Sequence, residues 1–273
     1  MTDNRSYSLQ AIELGQLVEY LNDAKLNKTT TSVRVVPFIT KELDLSHDIH
    51  KEWENVRTLY TKPYIGEKEN AGAIFRNVAN PTEYAYVFRG TKRLAEWLHN
   101  GRFFLDENGV HIGYNDLLNT SPDNFPLNYL PENWSKLLIC GCSLGGALAT
   151  LATLNTIKDL DLEKTKNIRL ITFGSPHCVD SRNAQEISDK VFQWIPYERE
   201  TDPVPSSLSK WVGGNFIKKE ISLPSFGFSV WQYPLCHSMQ FYHKGICDKE
   251  NIEFKPLIKY ESPFKFVSNF INP

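Results

Sequence analysis

The hydrophobic positions along this chain form two kinds of pattern. Residues 8–26 carry apolar side chains at close to helical spacing, which predicts a helix with one buried face near the start of the sequence. Short apolar or β-branched runs further along predict strands. These runs cover residues 33–39, 73–75, 83–89, 137–140, 168–173 and 191–195. The chain is therefore expected to begin with a helix and to continue into a core of buried strands.

Between these runs the pattern predicts one more helix and one long loop. Ser46 resembles an N-cap and predicts a helix through about residue 60. The proline-containing stretch 121–131 is typical of a loop rather than a domain linker, and no internal repeat is visible. A length of 273 residues with 41% hydrophobic side chains is ample for one core and short for two large domains. We expect a single domain over residues 1–273, with its core at about 30–250.

The most informative pattern is a strand, a tight turn and a helix in succession. The apolar run 137–140 leads into Gly141-Cys142-Ser143-Leu144-Gly145, and residues 144–157 are rich in Ala and Leu. A serine between glycines on a strand-to-helix turn is how an α/β-hydrolase presents its nucleophile, because side chains at the flanking positions would collide with the strand or the helix. The pattern predicts the α/β-hydrolase fold, a mostly parallel central sheet flanked by helices, with Ser143 as the nucleophile.

The same stretch is also about long enough to cross a bilayer. Residues 137–157 contain no charged side chain. However, Gly, Ser, Thr and Asn lower its hydrophobicity, no basic cluster flanks it, and a helix buried against a parallel sheet has the same composition. We therefore expect no transmembrane segment.

Charge and cysteine content exclude some functions. The net charge is −2, with 30 basic and 32 acidic residues spread along the chain, which gives no electrostatic footprint for nucleic acid. Five cysteines fit a reducing compartment, and Cys140 and Cys142 are expected to be small buried hydrophobes rather than redox or metal groups. Residues 1–14 show no secretory signal, so we expect a cytoplasmic protein, or one secreted without a visible N-terminal signal. His47 and His50 lack partners at ligand spacing, and no metal or organic cofactor is expected.

A nucleophilic serine needs a base and an acid that orients the base. In this fold the chain order is Ser, then Asp or Glu, then His, so the search runs downstream of Ser143. His177 directly follows a strand, too early for an acid to precede it. His237 lies in a loop-like segment that leads into residues 238–246, and it is favoured over His243, although a histidine capping a surface helix has the same pattern.

Three aspartates compete for the role of the acid. Asp202 follows the strand candidate 191–195 and precedes two prolines that stiffen its loop. Asp180 resembles a helix cap, and Asp189 lies near a helix end. Asp202 is therefore favoured.

Five motifs in a fixed order give the chain a family resemblance. They are Tyr86-Val87-Phe88-Arg89-Gly90-Thr91, Val110-His111-Ile112-Gly113-Tyr114, Thr172-Phe173-Gly174-Ser175-Pro176, Asp202-Pro203-Val204-Pro205 and His237-Ser238-Met239-Gln240 followed by Tyr242. Together with the serine turn they resemble the class 3 lipase family, the α/β-hydrolases that include fungal triacylglycerol lipases and plant lipase-like proteins. The resemblance covers residues 84–246, about 60% of the chain.

The resemblance assigns site residues position by position. It implies Ser143 as the nucleophile, Asp202 as the acid and His237 as the base. It also implies an oxyanion site formed by the backbone N–H of Leu144 and by Thr91, through its backbone and hydroxyl. For Thr91, a simple turn residue is the alternative.

The resemblance further implies a lid over the site. The segment 92–106, which starts with Lys92 and ends with Asp106, mixes large apolar side chains with charges. Such a segment could make a transient contact with a lipid surface or an acyl chain, although a surface helix packed on the core has the same pattern. The chain departs from the family at Cys142, where histidine is usual, and at Arg199, where Asn is common. Prolines also interrupt a region that is commonly a long helix, so acyl-chain preference does not carry over.

The implied activity is that of a serine carboxylic-ester hydrolase acting on lipid esters, an acylglycerol lipase or esterase, through an acyl-enzyme. A phospholipase A1 or a feruloyl-type esterase is an alternative, because head-group and acyl selectivity depend on lid and loops. A lipase-like binding or signalling protein without turnover is a second alternative, against which the intact set of Ser143, Asp202 and His237 argues.

Overall fold

The computed structural model describes residues 6–23, 32–36, 39–62, 69–90, 104–199, 202, 204–205, 221–223 and 237–261. The helices in these ranges are α1 (Tyr7–Asp23), α2 (Ile49–Glu52), α3 (Ile112–Leu118), α4 (Leu144–Lys158), α5 (Leu162–Thr165), α6 (Ser181–Lys190) and α7 (Met239–Glu250). The strands are β1 (Ser32–Val36), β2 (Ile39–Leu43), β3 (Trp53–Thr61), β4 (Glu69–Asn77), β5 (Glu83–Phe88), β6 (Lys136–Cys142), β7 (Ile168–Phe173), β8 (Gln193–Arg199), β9 (Ile221–Leu223) and β10 (Ile258–Glu261).

The central sheet has seven strands in the order β3-β4-β5-β6-β7-β8-β9. Each pair of neighbours from β5 to β9 is parallel, whereas β3 with β4 and β4 with β5 are antiparallel. A parallel sheet must be covered on both faces, which explains why its strands are continuous apolar runs. The predicted fold, a mostly parallel sheet flanked by helices, is confirmed.

Side chains of the central strands alternate between two apolar cores. Leu137 and Ile139 of β6 pack in one core with α3, α4 and α6, and this side is called the nucleophile face below. Leu138 and Cys140 of the same strand pack in the other core with α1 and α7, which is called the α1–α7 face. The charge-free run 137–157 is divided between β6 and α4, and both are buried. Within the described ranges, no helix has the length and hydrophobicity needed to span a membrane.

A second sheet was not predicted. It has three antiparallel strands in the order β1-β2-β10 and so joins a segment near residue 40 to one near residue 260. The single strand predicted at 33–39 is in fact divided between β1 and β2.

The helix predicted from residue 46 to about residue 60 is wrong. Only α2 is helical there, and β3 follows at once and pairs with β4. The Ser46 amide and hydroxyl both donate to Asp44 Oδ1, at 2.9 and 2.6 Å, so Ser46 lies in a turn rather than at a helix cap. The register of β3 against β4 shifts twice. These irregularities interrupt the alternation of apolar and polar side chains by which a half-buried strand is recognised in a sequence.

The other predicted boundaries differ by only a few residues. Helix α1 is described as far as Asp23 rather than 26, and β4 extends the predicted strand at 73–75 in both directions. The predicted loop at 121–131 contains two short 3₁₀ turns, Pro122–Asn124 and Pro126–Asn128. Each begins with proline, which is tolerated there because the N–H of the first residue would have no partner within the turn.

Candidate active site

Ser143 occupies a strained turn between β6 and α4. Its backbone has φ 55° and ψ −128°, a region that side-chain-bearing residues rarely adopt. The Ser143 amide donates to the Phe173 carbonyl at 2.9 Å, and the Ser143 carbonyl accepts from the Gly146 amide at 2.9 Å. Hydrogen bonds on both sides of the residue therefore hold the unusual backbone, and with it the direction of the hydroxyl.

The glycines that flank the serine are required by close backbone contacts. A Cβ at Gly145 would overlap the carbonyl oxygen of Phe88 and lie 2.6 Å from that of Arg89. A Cβ at Gly141 would overlap the Gly145 carbonyl. Because these neighbours are backbone atoms, they have no side-chain freedom with which to move away. The geometry confirms the steric reason predicted for both glycines.

Asp202 and His237 form a buried carboxylate–imidazole pair. His237 Nδ1 lies 2.6 Å from Asp202 Oδ2, and the same oxygen accepts the Tyr242 hydroxyl at 2.7 Å. Asp202 Oδ1 accepts the Val204 amide at 3.0 Å. These three hydrogen bonds compensate the burial of the Asp202 carboxylate, since only 2% of the residue is exposed. Because Nδ1 donates to Asp202, the Nε2 lone pair of His237 is left available to take a proton.

The end of β7 connects this pair to the serine. Phe173 holds the Ser143 amide, and the next residue, Gly174, has φ +54°. A Cβ at Gly174 would lie 2.6 Å from Asp202 Oδ2 and 3.0 Å from His237 Cε1. The serine turn and the Asp202–His237 pair thus contact consecutive residues, Phe173 and Gly174. Ser143 Oγ and His237 Nε2 are both buried, with no hydrogen-bond partner among the residues that the structure describes.

The other two downstream histidines face different carboxylates. His177 Nε2 lies 3.7 Å from Glu198, and His243 Nε2 lies 3.6 Å from Glu13 on the α1–α7 face. His237 is therefore the histidine that the fold brings to Asp202.

The competing aspartates have other positions. Asp180 caps α6 by accepting the Asn183 amide at 2.8 Å, and Asp189 lies in the last turn of that helix. Neither is the carboxylate bound by His237.

One of the two predicted oxyanion donors lies in the described structure. Leu144 is the first residue of α4, so its amide has no acceptor within the helix and is aligned with the positive end of the helix dipole. Gly90 packs against the serine, since a Cβ there would lie 3.4 Å from Ser143 Cβ. Thr91, the residue after Gly90, lies outside the described residues, as does the segment 92–106 except for its last three residues.

Burial sets the protonation of two groups beside the pair. Burial, with the nearby carboxylates Glu19 and Asp202, raises the pKa of the Cys142 thiol well above its usual range. Cys142 is therefore a neutral thiol and does not compete with Ser143 as a nucleophile. Burial and the Asp202 charge likewise raise the pKa of Tyr242, which keeps its hydroxyl a donor. In the described ranges, no three His, Cys, Asp or Glu side chains are arranged to hold a metal ion.

Tyr242 is the residue whose role the sequence did not predict. It belongs to the histidine motif, but nothing in the residue pattern assigned it a contact. It lies in the first turns of α7, five residues after His237, and this spacing is the signal that places its hydroxyl at the same carboxylate oxygen.

Comparison with known proteins agrees with this geometry. Residues 85–210 match the family model described as lipase (class 3). In fold, the chain is similar to the native lipase–propeptide complex of Rhizomucor miehei, with a TM-score of 0.56 and 19% identity over 79% of this chain and 67% of that one.

Two further lipases have the same fold. The lipase of Rhizopus microsporus var. chinensis has a TM-score of 0.54 and 18% identity over 79% of this chain and 72% of that chain. The Lip2 lipase of Yarrowia lipolytica has a TM-score of 0.51 and 18% identity over 80% and 77%. A search of curated proteins found no significant match to the sequence. The match to the class 3 lipase model includes the serine turn and Asp202, and the chain has the α/β-hydrolase fold of these lipases.

Proposed function

We propose that this protein is a serine carboxylic-ester hydrolase that acts on lipid esters through Ser143, His237 and Asp202. The observation that carries the proposal is the buried His237–Asp202 pair, which packs against Gly174 while the preceding residue, Phe173, holds the Ser143 amide. Acyl transfer to serine requires a serine presented on such a turn and an imidazole oriented by a carboxylate.

The reaction proceeds in two halves. His237 Nε2 takes the hydroxyl proton of Ser143 as Oγ attacks the ester carbonyl, and Asp202 stabilises the imidazolium that forms. The backbone N–H of Leu144 and the backbone N–H and hydroxyl of Thr91 hold the developing oxyanion, and the loss of one such donor raises the barrier by about 3 kcal/mol. His237 then gives its proton to the leaving alcohol, and water repeats the cycle on the acyl-enzyme.

The activity is tested with a series of p-nitrophenyl esters from acetate to palmitate and with phospholipid vesicles. Ser143→Ala should lower kcat about 10⁶-fold, because removal of the nucleophile removes the covalent route. Ser135→Ala, which removes an exposed hydroxyl bonded to Thr82, is the matched control and should keep wild-type activity. Preference for long acyl chains supports a lipase, short chains support an esterase, and release of fatty acid from the vesicles supports a phospholipase. Hydrolysis that survives Ser143→Ala, or no hydrolysis of any substrate by the wild type, would overturn the proposal in favour of another nucleophile or of a binding protein.

A further inference from the structure

Helices α1 and α7 are joined along their length by polar and close-packed contacts. Near one end, the Ser6 hydroxyl donates to the two carboxylate oxygens of Glu250 at 2.8 and 2.7 Å. Near the other end, a Cβ at Gly15 would overlap the terminal methyl of Met239, the first residue of α7. This methyl is the flexible end of the Met239 side chain, so the contact shows that α1 and α7 pack closely at this point.

A buried carboxylate lies between these two contacts. Glu13 Oε1 is 3.6 Å from His243 Nε2 of α7 and 3.4 Å from His47 Nε2 in the turn before α2. Gln16 Oε1 lies 3.1 Å from the other ring nitrogen of His243, and the Phe254 ring packs edge-on against that imidazole. Glu13 and His243 are only 2% and 1% exposed. A carboxylate so buried is strongly destabilising unless a cation or strong donors compensate it.

The directions of the ring nitrogens show how the compensation works. Both nitrogens of His243 face oxygen atoms: Nδ1 lies within hydrogen-bond distance of Gln16 Oε1, and Nε2 lies 3.6 Å from Glu13 Oε1, the distance of an ion pair that forms when the ring is protonated. His47 Nδ1 accepts the Ile49 amide at 3.4 Å, which leaves the proton of that ring on Nε2, toward Glu13. The Nε2 proton of His47 and the Nε2 atom of His243 therefore face the same carboxylate oxygen of Glu13.

This cluster is linked to the catalytic pair through Tyr242. His243 directly follows Tyr242 in α7, and the Tyr242 hydroxyl donates to Asp202 Oδ2. His237 immediately precedes Ser238, which is the N-cap residue of α7. A rotation or shift of α7 would move Tyr242 and the base together. We propose that Glu13 is a positioning residue for the reaction: by holding His243, it fixes α7 and so keeps the Tyr242 hydroxyl and the His237 imidazole on Asp202. The inference rests on the proposed function, since it assigns Glu13 to the same site.

The test compares Glu13→Gln with Ser6→Ala, which breaks the α1–α7 contact at the far end of the helix pair. We expect Glu13→Gln to lower kcat about 10-fold with KM unchanged, because a small misplacement of catalytic groups acts on the chemical step. Ser6→Ala should lower the unfolding free energy without changing kcat. Glu13→Asp, which keeps the charge, should restore part of the lost kcat. If Glu13→Gln does not fold, His243→Gln takes its place in the same comparison.

A double-mutant cycle with Tyr242→Phe tests the route of the effect. If Glu13 acts through Tyr242, adding Glu13→Gln to Tyr242→Phe should lower kcat by less than about twofold, since coupled residues are not additive. Effects that multiply independently, or an equal loss of kcat in Ser6→Ala, would overturn the proposal.

A second measurement does not depend on turnover. The ring ¹⁵N resonances of His237 should shift in Glu13→Gln and stay at their wild-type positions in Ser6→Ala. If the His237 resonances shift in Glu13→Gln but the wild-type protein hydrolyses no ester, the proposed function is rejected, while the effect of Glu13 on the position of His237 is supported. Unchanged His237 resonances in an active enzyme would reject the positioning role alone.

Discussion

Helices α4 and α1 lie on opposite faces of the central sheet, and the hydrogen bonds of their buried polar side chains span very different distances in sequence. On the nucleophile face, the hydroxyls of Thr150, Thr153 and Thr156 each donate to the carbonyl four residues earlier in α4. On the α1–α7 face, Tyr197 donates to Ser8 across 189 residues, and His243 bonds Gln16 across 227. The threonine hydrogen bonds are local to one helix, whereas those of α1 join it to residues far along the chain.

The difference separates two requirements of the proposed catalysis. The nucleophile needs a strained turn, which is specified by contiguous residues and lies within the segment that matches the family model. The base and acid need a precise contact between residues 202, 237 and 242, and the helix that provides it, α7, lies beyond that segment and packs on α1. The serine can therefore be recognised from a short stretch, whereas the orientation of its base depends on the whole fold.

The largest loss of stability is expected at Gly145, where α4 packs directly against backbone atoms at the end of β5. Gly145→Ala places a Cβ against the carbonyl oxygens of Phe88 and Arg89, and neither is able to move without displacing β5. We expect a loss of about 3 kcal/mol in unfolding free energy, measured by urea denaturation, and loss of esterase activity. The matched control is Gly245→Ala in α7, where the nearest atoms, at 3.2 Å, belong to the Leu223 side chain. A Gly145→Ala protein as stable and active as that control would contradict the steric account.

A pH-dependent effect is expected on the same face. Burial lowers the pKa of His111 to about 4. Its ordinary value is about 6.5, so the unfolded chain binds the proton first as the pH falls, and stability is lost between about pH 6.5 and pH 4. The resulting loss of unfolding free energy reaches about 3 kcal/mol at pH 4. His111→Asn keeps an acceptor for the Tyr114 amide at the start of α3 but does not titrate. Urea denaturation should show a flatter pH dependence for the variant, and parallel pH profiles would contradict the assignment.

A smaller effect is expected at the junction of the two faces. Tyr242→Phe removes one of the donors to the Asp202 carboxylate and should cost about 2 kcal/mol of stability, as is typical for a hydrogen bond to a charged group. It should also lower kcat about 10-fold, because the carboxylate that orients His237 loses a fixed contact. Tyr197→Phe is the control, since it removes a buried hydroxyl bonded to neutral Ser8. That control should cost about 1 kcal/mol and leave kcat unchanged. Equal kinetic losses in the two variants would show that Tyr242 has no special role at the site.

The sequence predicts best where structure depends on neighbouring residues. The strand, turn and helix around Ser143 were predicted because the apolar run, the paired glycines and the Ala-rich helix are contiguous. The helix predicted at 46–60 was wrong because α2 has only four residues and β3 is bulged, so neither keeps a regular period. The sheet of β1, β2 and β10 could not be predicted, since nothing local in residues 258–261 indicates pairing with residues 40–43.

The same distinction applies within the site. Asp202 and His237 were selected by chain order, loop context and family resemblance, and the structure places them 2.6 Å apart. The contact of Tyr242 with Asp202, and that of Glu13 with His243, could not be predicted, because each depends on how α7 is rotated against the sheet and α1. The hydrophobic pattern identifies the buried face of a helix, but it does not define the rotation of the helix accurately enough to predict individual hydrogen bonds.

The most direct test of the account is covalent labelling of the protein with a p-nitrophenyl alkylphosphonate, followed by mass spectrometry of the intact chain and its peptides. The phosphonate reacts with a serine only where a base activates the hydroxyl and an oxyanion site holds the adduct. The account predicts one adduct per chain, on Ser143, formed at a much lower rate in Tyr242→Phe than in Tyr197→Phe. An adduct on another residue, or none on Ser143 in the folded wild type, would contradict it.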